Sequence, residues 1–108
     1  MFNMKSKKIS KDKLNISKMA SGNTCLFLTD EVSWSQFGIF AQEFIDFFDG
    51  KINSKSESIP TIIWDIKIDD VDFLLVYDDF PLGITLESKN KKGDKLIAKI
   101  FKQITNAH

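Results

Sequence analysis

Two stretches in the middle of the chain are separated by only two positions, Asp69 and Asp70: 62–68 (IIWDIKI), where Asp65 and Lys67 alternate with Trp64, Ile66 and Ile68, and 71–77 (VDFLLVY), apolar or aromatic at every position but Asp72. Alternation with a period of two describes a strand with one buried face, and so short a gap points to a tight antiparallel hairpin. With Asp69-Asp70 as the loop, Ile68 stands opposite Val71, Ile66 opposite Phe73, Trp64 opposite Leu75 and Ile62 opposite Tyr77. Every one of those pairs is apolar or aromatic, so parity and register select the same buried face. Asp-Asp is not the Gly-containing pair that such loops favour, and a longer loop stays open on the sequence alone. A third strand, 83–88, follows the turn DDFPLG and adds Ile84 and Leu86 to the buried side. The opposite side then carries Ile63, Asp65 and Lys67, then Asp72, Leu74, Val76 and Asp78, then Thr85 and Glu87, an apolar centre with mostly acidic edges.

Around this sheet the other elements follow from spacing. Residues 14–29 read as strand, turn and strand, with Ser21, Gly22 and Asn23 supplying the turn. Between Ser33 and Gly50, Trp34, Phe37, Ala41, Phe44, Ile45 and Phe48 recur at helical spacing, with Gln36, Gln42, Glu43, Asp46 and Asp49 on the other side. Ser33 and Gln36 form a capping box, and Gly50 is placed for a left-handed stop. Residues 51–60 combine one short strand with a Ser-rich connection closed by Pro60. The last element, 94–106, spaces Leu96, Ile97, Ile100, Phe101 and Ile104 as a second amphipathic helix with Lys95, Lys99 and Lys102 outward. The expected class is α+β, a mainly antiparallel sheet of about five strands with two amphipathic helices. Residues 1–13 are expected to form a flexible Lys-rich segment and 14–108 a single domain.

Charge divides along the same lines. Residues 1–18 carry six Lys against one Asp, 30–87 thirteen acids against three Lys, and 88–108 six Lys against one Asp. A surface dominated by one sign selects partners of the other. All fifteen basic residues are Lys and none is Arg, which argues against sequence-specific nucleic-acid reading, where bidentate Arg contacts dominate. The Lys-rich ends keep a nucleic-acid-associated regulator open as an alternative, although the acidic middle would repel a polyanion. No stretch has the length of a membrane span, and the N-terminus lacks the apolar run of a secretory signal.

Catalytic constellations are not assembled by these residue types. The one His is the terminal residue, and Cys25 sits in an apolar run, read as a buried small hydrophobe. DDVD (69–72) lacks the alternating acids, central Gly and closing Glu of a calcium loop. No catalytic residue, metal site, cofactor or small-molecule ligand is therefore expected, with an unrecognised Mg-dependent enzyme using an Asp cluster kept as an alternative.

Four segments, LTDE (28–31), WSQFGIFAQEF (34–44), IIWDI (62–66) and VYDDFPLGITLES (76–88), resemble those of small bacterial immunity proteins from contact-dependent growth inhibition systems, over roughly residues 24–105. The resemblance implies a cytoplasmic protein that binds a cognate toxin domain, commonly a nuclease with a basic cleft, and blocks it stoichiometrically. It assigns no interface residue. On charge alone the expected partner-binding face comprises Asp65, Asp69, Asp70, Asp72, Asp78, Asp79 and Phe80, with Leu74 and Val76 as apolar anchors. If the C-terminal helix covers that face, the role passes to Glu43, Asp46 and Asp49 on the first helix.

Overall fold

The computed structural model describes Ile9, residues 12–79 and residues 81–107. The hairpin at the centre of the chain has the expected register throughout, Ile62↔Tyr77, Trp64↔Leu75, Ile66↔Phe73 and Ile68↔Val71, between strands β4 (Thr61–Ile68) and β5 (Val71–Asp79). Its loop is the two-residue Asp69-Asp70. Both residues have positive φ, 51° and 63°, as a loop of the type I′ class requires, and Asp tolerates that region better than most side chains.

Four further strands complete the sheet: β1 (Asn15–Lys18), β2 (Thr24–Thr29), β3 (Lys51–Ser58) and β6 (Leu82–Ser88). All pairings are antiparallel, in the order β1-β2-β6-β5-β4-β3. The chain makes the β1-β2 hairpin, crosses to the far edge, and returns through β3, β4, β5 and β6 until β6 seats itself against β2. The sheet has six strands rather than about five because 51–58 is one full strand, exposed except at Ile52. Its polar sequence hides that extent from a hydrophobicity pattern. It is an edge strand whose one strand neighbour is β4.

The crossing is made by a 3₁₀ turn at Trp34–Gln36 followed by α1 (Phe37–Phe47). The Ser33 N–H donates to Gln36 Oε1 at 3.2 Å, which is one half of the expected capping box. The left-handed residue that ends this helix is Asp49, with φ of 53°, and not Gly50. Gly50 answers to a different constraint, since a Cβ there would stand 2.8 Å from the Lys67 carbonyl oxygen. The second helix, α2 (Lys91–Ala107), begins three residues before the apolar stripe predicts, because Asn90 Oδ1 accepts from the Gly93 N–H at 2.9 Å and caps it there.

Both helices lie on the same side of the sheet. Leu26, Ile66, Phe73, Leu75, Tyr77 and Leu86 from the strands share one fully buried core with Phe37, Phe44 and Ile45 of α1 and Ile97, Ile100 and Ile104 of α2. Phe37 meets Trp64 and Tyr77 edge-on at 5.3 and 5.9 Å between ring centres, tying α1 to β4 and β5. The core also takes in Ile9, which belongs to the segment expected to be flexible. Lys13 pairs with Asp30 and Glu31 at 3.0 and 3.2 Å.

Candidate functional site

With both helices on one side, no described element covers the other, bare side of the sheet, and the register lays it out in rows. One row crosses the strands as Phe27, Thr85, Val76 and Ile63. The next runs Cys25, Glu87, Leu74 and Asp65. Beyond the first row lie Gly83, Asp78 and Thr61, and beyond the second lie Asp72, Lys67 and Lys51. The middle of this face is apolar: Val76 is nearly covered by its neighbours, and Phe27, Ile63 and Leu74 are half-buried. Phe27 lies across Gly83, where an added Cβ would stand 2.8 Å from ring carbon Cε1. Any side chain at position 83 would displace that ring.

The alternative in which α2 covers Leu74 and Val76 does not hold, so the binding role has no reason to pass to Glu43, Asp46 and Asp49. The expected acidic set, however, does not stand together. Asp65, Asp72, Leu74, Val76 and Asp78 share the bare face. Asp69 and Asp70 are at the hairpin tip, beyond its end. Asp79 points to the helix side, where its Oδ1 accepts from the Tyr77 hydroxyl at 2.7 Å. Burial, with this carboxylate as the second cause, pushes the Tyr77 hydroxyl pKa up to about 12. Phe80 lies outside the described residues.

Two of the carboxylates on the face are also neutralised from within. Lys89 Nζ is 2.7 Å from Asp65 Oδ2, and Lys67 Nζ is 3.1 Å from Asp72 Oδ1. A bulge in β3 turns Asn53 onto the face, and its side-chain amide donates to both acids, at 3.1 and 3.0 Å. Lys89 first, then Asn53, holds the Asp65 carboxyl below its ordinary pKa, and Lys67 with Asn53 does the same for Asp72. Asp65 and Asp72 therefore sit in a closed polar network with little negative charge left to offer.

The other two acids differ. Asp78 accepts from the Thr61 hydroxyl at 2.8 Å and pairs with no lysine among the described residues. Glu87, flanked in register by Cys25 and Leu74, has no hydrogen bond or ion pair among the described residues. Burial, then repulsion from Asp78, raises its carboxyl pKa. Cys25 is half-exposed beside it, within 3.3 Å of the Ser17 hydroxyl, and is not the buried hydrophobe its sequence context predicts.

Glu87, Phe27, Cys25 and Lys89 were not in the expected site. The parity of Glu87 with Thr85 already put it on this face. What raises its importance is the β2–β6 pairing, which brings Cys25 and Phe27 beside it from sixty residues away and leaves no signal in local spacing.

Among the described residues no group of three or more His, Cys, Asp or Glu is arranged to hold a metal ion, and no helix is long and apolar enough to cross a membrane. Residues 14–104, which take in all six strands, α1 and most of α2, match the model of a family described as a protein of unknown function, DUF3630. The chain belongs to that family. No curated protein and no solved structure matches it. In this DUF3630 chain the matched stretch includes every described residue of the bare face, from Ser17 on β1 to Lys89 after β6.

Proposed function

We propose that this protein works by holding another protein against the bare face of its sheet, and that the partner is a toxin domain which it blocks stoichiometrically in the cytoplasm. The observation that carries the reading is the row Phe27, Val76 and Ile63 with Leu74 beside it, apolar side chains gathered on a sheet face that neither helix covers. A contiguous apolar patch rimmed by polar groups is what protein interfaces are built from. The toxin part of the reading comes from the resemblance to contact-dependent growth inhibition immunity proteins, and a nuclease partner from the charge of its cleft. Electrostatic attraction to that cleft falls to Asp78 and Glu87, because Asp65 and Asp72 are already paired.

Co-expression with the product of the adjacent upstream reading frame tests this. The expected result is that the product arrests growth, that this chain restores it, and that the two co-purify one to one. Ile63→Lys combined with Val76→Lys should weaken that complex at least about thirtyfold, the size of one interface hot spot, while the variant keeps its fold. A harmless upstream product, or a complex indifferent to the double substitution, would overturn the reading.

A further inference from the structure

We infer that the partner sets one Lys or Arg side chain, surrounded by apolar side chains, over Glu87. The inference rests on the docking face proposed above and specifies what must occupy its middle. Glu87 stands near the centre of the bare face, with Cys25 and Leu74 opposite it in register and Thr85 two residues away on its own strand. Of the three described lysines on this face, Lys89 is engaged with Asp65 and Lys67 with Asp72, while Lys51 stands on the edge strand opposite Lys67, and the charge that acts on Glu87 is the like charge of Asp78. Free in solution, the carboxylate is half hydrated. Once a partner covers the surrounding apolar row, that water leaves, and an ionised group buried without a counter-ion is strongly unfavourable. A partner that seals this face and leaves Glu87 ionised must therefore bring a cation to it.

The same geometry disfavours a second copy of this chain as the occupant. Lys89 and Lys67 are taken up, Lys51 lies out on the edge strand, and a two-fold axis through the middle of the sheet would bring two Glu87 carboxylates together. Lys and Arg both fit the charge. Arg fits better, since its planar group can contact the carboxylate and still lie against Phe27 and Val76.

The probe is a pair of peptides, acetyl-Leu-Arg-Leu-amide and acetyl-Leu-Gln-Leu-amide, titrated into the isotope-labelled full chain and followed by its backbone amide and side-chain carboxyl signals. The Arg peptide should shift amides in 24–28, 73–78 and 84–88 saturably and lower the Glu87 carboxyl pKa. Glu87→Gln should weaken it about tenfold, the loss of one charge-assisted hydrogen bond. Glu87→Asp should retain most of the preference, and the amide spectrum reports the fold of each variant. An equal response to both peptides would leave the face as an interface and overturn the role of Glu87. Shifts elsewhere, or no saturable response to either peptide, would overturn both readings. Sedimentation of the chain alone should show a monomer; a dimer that shields these same amides would show a second copy on the face and overturn the inference.

Discussion

Asp69 and Asp70 show how much a single backbone angle decides. Their φ values of 51° and 63° make the loop two residues long, and loop length is what puts Ile66 against Phe73 instead of one position away. Left-handed backbone costs an L-residue about 1–2 kcal/mol, less for Asp, and nothing comparable for Gly. Asp70→Gly should therefore stabilise the fold by up to about 1 kcal/mol and raise Tm by roughly 4 °C, read by thermal unfolding. A fall in Tm would mean that the aspartate makes compensating contacts at the tip. At this scale the sequence was largely readable: with Asp69-Asp70 as the loop, parity gives the observed register, which also sets Lys67 opposite Asp72, and the two positive φ values exclude the longer loop that the sequence left open. The fate of Asp65 was not, because Lys89 reaches it from beyond the end of β6.

At the scale of elements, the attachment of α2 to the sheet turns on its first turn. Asp94 Oδ1 accepts from the Thr24 N–H at 2.9 Å and the Thr24 hydroxyl at 3.1 Å, which anchors the helix start to the start of β2. The backbone hydrogen bond from Thr24, then the side-chain hydrogen bond from Ser88, holds the Asp94 carboxyl below its ordinary pKa of 3.8. A carboxyl with a lowered folded-state pKa adds stability above its unfolded value and loses that contribution as the pH falls through the folded one. Asp94→Ala should thus lower Tm at neutral pH and speed hydrogen exchange at the Thr24 amide at least about tenfold, while the gap to the unsubstituted chain closes in acid. An undiminished gap at low pH would count against the carboxylate as the source. Both helices were legible as apolar stripes. Their ends were less so: Asn90 moves one start upstream, and Asp49 moves one stop. Such shifts depend on which polar group reaches a free backbone amide or on a single φ, and not on periodicity.

For the whole molecule, the decisive fact is that both helices pack on one side. Adjacent residues of β5 then have opposite fates, Leu75 fully buried beneath the helices and Leu74 on the bare face. Leu75→Ala should cost about 2–5 kcal/mol of stability, as cavities in sealed cores do, and Leu74→Ala less than about 1.5 kcal/mol, both measured by denaturant unfolding. Equal losses would mean that the second face is covered after all. The sequence by itself determined the strands of the central hairpin, their register, the two helical stripes and the α+β class, because each rests on contacts between residues close along the chain or on a period of side-chain direction. It also determined that acids are concentrated in the middle of the chain. Only the tertiary structure decided that those acids part company: Asp79 to the helix side, Asp69 and Asp70 to the tip, Asp65 and Asp72 to their own lysines. It likewise decided that Glu87 stands in the centre without a counter-ion among the described residues. The physical reason is that linear charge density says nothing of which face a side chain takes or which lysine arrives beside it. Those outcomes follow from β6 pairing with β2 across the length of the chain, and from the side to which the two helices bring their apolar stripes.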